Sequence, residues 1–316
     1  MRILVSGSTG LLGTALVERL ESERHSVARL VRPGTAQKER AGALGNVVGW
    51  DPVADARVGT ATGARQEFDS AAAEGCDALV HLAGASIAGG RWNDARKRLL
   101  RTSRIDATRH LIGALARLQR PPRVIVAASA VGYYGDRGDE TLTEASAPGI
   151  DFLSGLCREW EAQTARAAEF GGRVVSLRFG IILAAHGGAL PQMALPFKLG
   201  VGGRLGHGRQ WMSWLVLPEA VNIIEFALAT SSLAGPVNAV TPNPVQNAQF
   251  TRILAKALRR PALFPAPAFA LRLALGEMAD ALLLASQRVT PSALSRSGYE
   301  FLQPDLSAAL TEIFRK

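Results

Sequence analysis

The chain reads as α/β: a doubly wound parallel sheet followed by a smaller, mainly helical C-terminal lobe. Three observations predict this. Short apolar runs alternate with amphipathic stretches through the first 180 residues, the earliest run turns into its helix through three evenly spaced glycines, and the rhythm then gives way to glycine-rich loops and helices. A strand separated from the next by a helix pairs with it in parallel, and the helices cover both faces of the sheet.

The first strand is the apolar run that opens the chain, and Gly7-Ser-Thr-Gly-Leu-Leu-Gly13 leads from it into the helix-compatible stretch Thr14 to Leu20. Gly7 permits the tight turn, Gly10 lets backbone approach a phosphate, and Gly13 allows close helix-to-strand packing. Free N–H groups and the positive end of the helix then meet negative charge. A glycine triplet placed between a strand and a helix is the dinucleotide-binding signature of a Rossmann-type sheet. Gly7, Thr9, Gly10, Leu11, Leu12 and Gly13 are therefore the candidate pyrophosphate cradle.

Ser26 to Val31 is the second strand. NAD-selective sites carry an Asp or Glu at its end for the adenosine ribose, whereas this chain has Arg32. A guanidinium pairs with a 2′-phosphate where a carboxylate would repel it, so the expected cofactor is NADP(H), with NAD as the alternative. Asn46 to Trp50 is the third strand and Asp77 to Leu82 the fourth, running into the small residues Ala83, Gly84 and Ala85. Arg123 to Ala128 is the fifth, followed by Ser129, and Arg173 to Phe179 is the sixth, with helical stretches at Asp94 to Gln119 and Leu153 to Phe170. Leu82, Ala83, Gly84, Ala85, Ser129 and Phe179 thus fall at the carboxyl ends of strands, where such sheets bind ligands. The sheet domain is expected over 1–180, with later elements returning to it, and the lobe over 181–316. Lobe helices are expected at Ala248 to Leu258, Ala268 to Ala285 and Leu306 to Phe314, with Pro261, Pro265 and Pro267 marking a joint.

Composition narrows the partners. At 316 residues, 47% hydrophobic and 20% charged, the chain forms one large or two modest domains. The net charge of +9 and an isoelectric point near 10.3 raise the question of nucleic acid. The densest basic run, Arg91 to Arg109, holds seven Arg or Lys against Asp94 and Asp106. No stacking platform accompanies it, so we read it as a helix beside an anionic cofactor and expect no nucleic acid. Leu263 to Ala285 is interrupted by Arg272, Glu277 and Asp280, which makes it a poor bilayer span, and no membrane partner is expected. The two cysteines, Cys76 and Cys157, lack metal or redox spacing, the opening strand leaves no room for a signal peptide, and a cytoplasmic protein is expected. The five histidines show no metal spacing either, so no metal is expected.

A sheet of this kind with Ser129 after its fifth strand resembles the extended short-chain dehydrogenase/reductases. The resemblance implies a Tyr-x-x-x-Lys helix in which the tyrosine transfers a proton and the lysine lowers its pKa. Aligned on Glu161, that helix places Leu153 at the tyrosine and Cys157 at the lysine, and neither can do the original job. The chain is similar to the atypical subgroup called epimerase-family proteins, in which the serine stays, a cysteine replaces the lysine and an arginine, here Arg104, replaces the asparagine of the central helix. Ser129-Ala-Val-Gly-Tyr-Tyr-Gly135, Gly202 to Trp214 and a tail at 263–314 like that subgroup's C-terminal domain of unknown function carry the likeness. The pattern departs after Trp214, where the subgroup's Ile-His is Leu215-Val216.

The candidate catalytic residues are Ser129 as hydrogen-bond donor, Tyr133 as a replacement acid, and Cys157 as a reactive thiol or a small core residue. Arg104 is expected to orient backbone or cofactor. Tyr133, Tyr134, Arg209, Trp211 and Trp214 are the candidate substrate contacts. Two functions fit: an NADP(H)-dependent oxidoreductase or epimerase-like enzyme acting on a small polar substrate, or a non-catalytic protein that senses NADPH and reports to a partner.

Overall fold

A computed structural model describes residues 1–32, 46–52 and 68–315. Seven parallel strands form the main sheet: β1 (Arg2–Ser6), β2 (Ser26–Val31), β3 (Asn46–Gly49), β4 (Ala78–His81), β5 (Val124–Ala130), β6 (Arg173–Phe179) and β7 (Gly235–Ala239). Their order is β7-β6-β5-β4-β1-β2-β3. β1 therefore has β2 on one side and β4 on the other, and the crevice above this reversal of strand order is where a doubly wound sheet takes its ligand.

Both faces of the sheet are buried, as its near-continuous Val, Ile and Leu runs require. On one face Leu16, Val17 and Leu20 of helix α1 (Leu11–Ser22) and Ile223, Ile224 and Ala227 of the helix Leu217–Ala229 pack on Ile3, Val5, Val80 and Leu177. On the other, Leu111, Ile112 and Leu115 of the helix Ala107–Leu115 pack on Leu4, Leu79 and Ile125. A separate lobe core joins Phe197, Trp214, Phe250, Leu254 and Leu310.

The structure refines the expected elements in four places. β5 runs on to Ala130, so Ser129 lies within the strand, in register with Arg178 of β6. The long basic helix is interrupted: Asp94–Arg101 passes through a π-turn at Thr102–Asp106, which contains Arg104, before Ala107–Leu115. The stretch expected as one helix from Ala268 to Ala285 is broken at Gly276, which turns the chain with φ +63°, and resumes as the short helix Glu277–Ala279 and a π-turn at Asp280–Leu284. β7 returns to the sheet from beyond residue 180, so the sheet domain draws on the chain up to Ala239. The segment after Arg32 that would complete the second βα unit lies outside the described residues.

Candidate active site

The cradle is made of backbone, and its glycines differ in what demands them. Gly7 has φ +70°, and a Cβ there would stand 2.8 Å from the Leu82 carbonyl carbon. At Gly13 a Cβ would stand 2.1 Å from the Gly7 oxygen. Both positions exclude any other residue on the chain's own account. Gly10 is different: its φ is −80° and a Cβ would meet only the Gly7 oxygen, at an ordinary 3.4 Å. Gly10 caps α1 without a side-chain hydrogen bond and no acid occupies the first turn, so free N–H groups and the helix dipole face the crevice. The buried Ser8 Oγ beside them has no partner among the described residues. Thr9 is exposed and Leu11 and Leu12 are half-buried, at the mouth of the crevice.

The opposite wall is the loop after β4. Ser6 Oγ accepts hydrogen bonds from the N–H groups of Leu82 and Ala83 at 3.2 and 3.3 Å, which ties this loop to β1. Arg104 donates from Nη2 to the Ala85 carbonyl at 3.0 Å, and its guanidinium lies 5.2 Å from the Trp160 ring centre, within cation–π range. Its Cζ would be 3.1 Å from a Cβ on Gly84, so the loop is small where Arg104 passes it. Burial, opposed by Cys157 and reinforced by Arg96, lowers the Arg104 pKa, and its buried Nη1 donor has no partner among the described residues. Two buried polar groups without partners among the described residues and a glycine with spare room thus belong to the cradle and its opposite wall. That set fits a dinucleotide, with Gly7 to Gly13 at the pyrophosphate and Arg32, exposed at the carboxyl end of β2, on the adenosine side.

The side of the site built around Ser129 is made of side chains. Ser129 Oγ donates to Glu161 Oε1 at 2.6 Å. Arg178 grips both oxygens of Glu161 with Nε and Nη2 at 2.8 Å each. Arg178 also donates from Nη1 to the Tyr134 hydroxyl at 3.0 Å, and that hydroxyl donates to Asn238 Oδ1 at 2.6 Å. Although burial alone lowers the Arg178 pKa, the Glu161 hydrogen bonds and charge outweigh it and hold the group above its ordinary range. The Tyr133 ring centre is 3.4 Å from the Arg178 Cζ, and no protein group among the described residues takes its hydroxyl.

Several expected site residues are placed otherwise. Cys157 is buried, and burial first, then Glu161, pushes its thiol up to about 12 against the lowering effect of Arg104, so it is no reactive thiolate. Leu153 packs with Trp92, Leu100 and Met278. Tyr134 is fully buried, with its hydroxyl committed to Asn238 and Arg178, and so supports the site without touching substrate. Trp214 is fully buried in the lobe core, its indole N–H given to the Asn243 carbonyl, and has no surface to offer. Phe179 is buried in the sheet core, so what it can offer a cofactor is backbone. Trp211 stays half-buried, donating to Asp139 at 2.7 Å with Arg288 over its ring, and Arg209 is exposed.

A cleft of about 360 Å³ separates sheet domain and lobe, lined by Trp92, Phe152, Asp151, His207 and Arg272 among others. Ser129 does not line it. Phe152 and Asp151 do, and they start the helix Phe152–Ala165 that carries Cys157 and Glu161. The residues missed from the sequence are Glu161 in its chemical role, Arg178 and Asn238. A signal existed: Arg178 is a charge inside the buried strand Arg-Val-Val-Ser-Leu-Arg-Phe, and such a charge needs a partner. Among the described residues no cluster of His, Cys, Asp or Glu could hold a metal ion.

This sheet order, the glycine cradle at the β1–α1 turn and a serine at the end of β5 define an atypical extended short-chain dehydrogenase/reductase. The sequence model of the NAD dependent epimerase/dehydratase family matches residues 3–239, and a domain of unknown function, DUF1731, matches residues 266–313. The chain belongs to that epimerase/dehydratase family. It is 40% identical over 308 residues to an epimerase family protein of Mycobacterium bovis, covering 98% of this chain and 96% of the relative. It is 36% identical to the epimerase family protein YfhF of Bacillus subtilis, covering 99% and 98%. The crystal structure of human epimerase family protein SDR39U1 (isoform 2) with NADPH matches at a TM-score of 0.84 and 33% identity, over 99% of both chains.

Proposed function

We propose that the chain is a cytoplasmic, NADP(H)-dependent oxidoreductase of the epimerase/dehydratase type, acting on a small molecule with Ser129 at the reacting oxygen and Glu161 behind it. The observation that carries this reading is the 2.6 Å hydrogen bond from Ser129 Oγ to Glu161 Oε1. The cofactor assignment is supported by Arg32 in place of an acid and by the human relative's NADPH. Gly7 to Gly13, Ala83 to Ala85 and Arg104 hold the cofactor. When bound, its nicotinamide supplies the hydride donor or acceptor.

Serine alone is too weak an acid or base for this work. Ser129 is buried, with its proton given to Glu161 and its oxygen beside the Cys157 thiol, so its remaining lone pair is what a substrate oxygen would meet. A substrate hydroxyl can pass its proton to Ser129 Oγ while Ser129 passes its own to Glu161, and the reverse sequence protonates a carbonyl oxygen as it is reduced. Arg178 keeps Glu161 fixed and hydrogen-bonded throughout.

NADPH oxidation by the purified chain against panels of carbonyl compounds and nucleotide sugars tests the proposal. Turnover is expected, with Ser129→Ala and Glu161→Gln each lowering kcat by about 10²–10⁴ at unchanged NADPH affinity. The burial of Leu153 and Cys157 favours the second reading, a cofactor-sensing protein. NADPH binding with no turnover on any panel and a partner whose affinity follows the NADPH/NADP⁺ ratio would establish that reading instead.

A further inference from the structure

Eleven large apolar residues are exposed in the described chain, and seven of them fall in two segments, 190–210 and 247–275. These segments share one surface. The Phe264 N–H donates to the Gly202 carbonyl at 3.1 Å, and Ala266 and Gly206 pair with Arg204 and Ala266 at 2.9 and 2.8 Å. Beneath them Phe197 of the helix Leu190–Lys198 packs on Phe250 and Leu254 of the helix Asn247–Leu258. The helix Ala268–Leu275, Ala-Phe-Ala-Leu-Arg-Leu-Ala-Leu, buries none of its residues. Phe264, Phe269 and Leu273 are 58%, 72% and 76% exposed. Ala268, Ala270, Leu271 and Leu275 are half-buried, Leu275 against the Trp92 and Leu153 cluster. One face of this short apolar helix is thus partly covered while Phe269 and Leu273 face out, and packing is what usually holds a helix of this length.

The charge of the same surface is one-sided. The two segments contain eight Lys or Arg and no Asp or Glu. Arg272 is committed to Asp280, while the others, including Lys198, Arg204, Arg259 and Arg260, are exposed and have no ion pair among the described residues. A second copy of the chain would set this cationic face against itself in a two-fold interface, and the flanking acids Asp280 and Glu277 are already paired, with Arg272 and Lys97. Duplex nucleic acid would satisfy the cations and leave Leu199, Val201 and Leu273 in water, since aliphatic side chains do not stack on bases. A lipid surface bearing anionic headgroups takes both components: the apolar side chains enter the headgroup boundary and the cations meet the negative surface potential. No helix among the described residues is long and apolar enough to cross a membrane, so the contact is peripheral.

We infer that this face of the lobe docks the protein onto an anionic bilayer surface. The expectation of no membrane partner came from weighing a bilayer span, and this surface meets the different requirement of an interfacial helix. The inference is independent of the catalytic reading, because it uses none of the residues around Gly7 or Ser129.

Flotation of the full chain with lipid vesicles tests it. Binding is expected to vesicles of phosphatidylcholine mixed with phosphatidylglycerol and not to phosphatidylcholine alone, and it should fall with added salt. The triple variant Phe264→Ser, Phe269→Ser, Leu273→Ser, at exposed positions that leave the core intact, should weaken binding at least about tenfold. Arg259→Glu with Arg260→Glu should weaken it roughly thirtyfold or more. Arg117→Glu with Arg123→Glu, the same change of net charge at the far end of the sheet, should leave it within about twofold. Failure to float with either vesicle, equal loss in the control pair, or a dimer that the triple serine variant converts to monomer would each overturn the inference. Duplex DNA binding that exceeds vesicle binding and ignores the serine substitutions would do the same.

Discussion

Around Gly7 the site is made of backbone held by geometry, while around Ser129 it is made of side chains held by one another. In the first region Gly7 and Gly13 have no alternative residue, since a Cβ at either would overlap backbone atoms. In the second, Ser129, Glu161, Arg178, Tyr134 and Asn238 come from three strands, a helix and a turn, and each side chain hydrogen-bonds at least one other in the set. A backbone site can persist while its neighbours change. A side-chain site depends on every member of its set, so one substitution in it is felt by the others.

The largest effect that separates the two regions is expected at Arg178. Replacing it by Met leaves the mostly buried Glu161 carboxylate without its bidentate partner, which should cost about 3–5 kcal/mol in urea denaturation. Arg178→Met combined with Glu161→Leu should recover most of that loss. NADPH affinity of the folded single variant should stay within about threefold, because the cradle is built elsewhere. A single variant as stable as wild type would show that the network does not hold the second region together.

The next effect belongs to the first region. Arg32→Asp removes a cation suited to a 2′-phosphate and installs a repelling anion, so NADPH binding should lose about 2–4 kcal/mol, roughly 30- to 1,000-fold. NADH binding should change far less. Calorimetric titration of both cofactors decides it, and equal losses would remove Arg32 from the site.

These two regions were legible in the sequence to different degrees for the same reason. Strand, glycine turn and helix are contiguous between Arg2 and Ser22, so the cradle can be read from local spacing. β6 lies where its apolar run predicts it, from Arg173 to Phe179. The Ser129 network spans 32 residues to Glu161, and the Tyr134 to Asn238 bond spans 104. No periodicity reports such distances. Gly235 to Ala239 was not recognised as a strand because Gly, Pro and Asn are poor strand formers, and only its pairing with β6 makes it one. Trp214, expected at the substrate, shows the converse error: a tryptophan beside a glycine-rich loop is as useful to a lobe core as to a ligand.

A buried polar chain joins the regions and makes their coupling measurable. His81 is fully buried, 2.6 Å from Ser6 Oγ and 2.8 Å from Thr108 Oγ1, and Thr108 accepts from the Trp160 indole at 3.0 Å. Burial pushes its imidazole down from 6.5 to about 4. The unfolded chain therefore takes up a proton below about pH 6.5 that the folded chain refuses until about pH 4. The stability this residue protects is complete above pH 6.5 and is lost as pH falls toward 4, about 3 kcal/mol in all. Denaturation midpoints across that window should fall for wild type and fall less steeply for His81→Gln. Parallel slopes would mean that other groups carry the acid sensitivity.

The smallest effect is expected at Cys157. With its thiol at about 12, only ~1 molecule in 10⁴ carries a thiolate at pH 8, so alkylation by iodoacetamide should be slow and rise about tenfold per pH unit in the folded protein. Cys157→Ala removes one buried sulfur and its hydrogen bond to Ser129, while the Ser129–Glu161 and Glu161–Arg178 bonds do not pass through it. It should cost about 1 kcal/mol of stability, as small core truncations do. NADPH affinity and any turnover should stay within about twofold. Rapid labelling at neutral pH, or a tenfold loss of turnover in a stable variant, would return Cys157 to the chemistry. The contrast between a backbone cradle and a side-chain network that works without Cys157 would then fail.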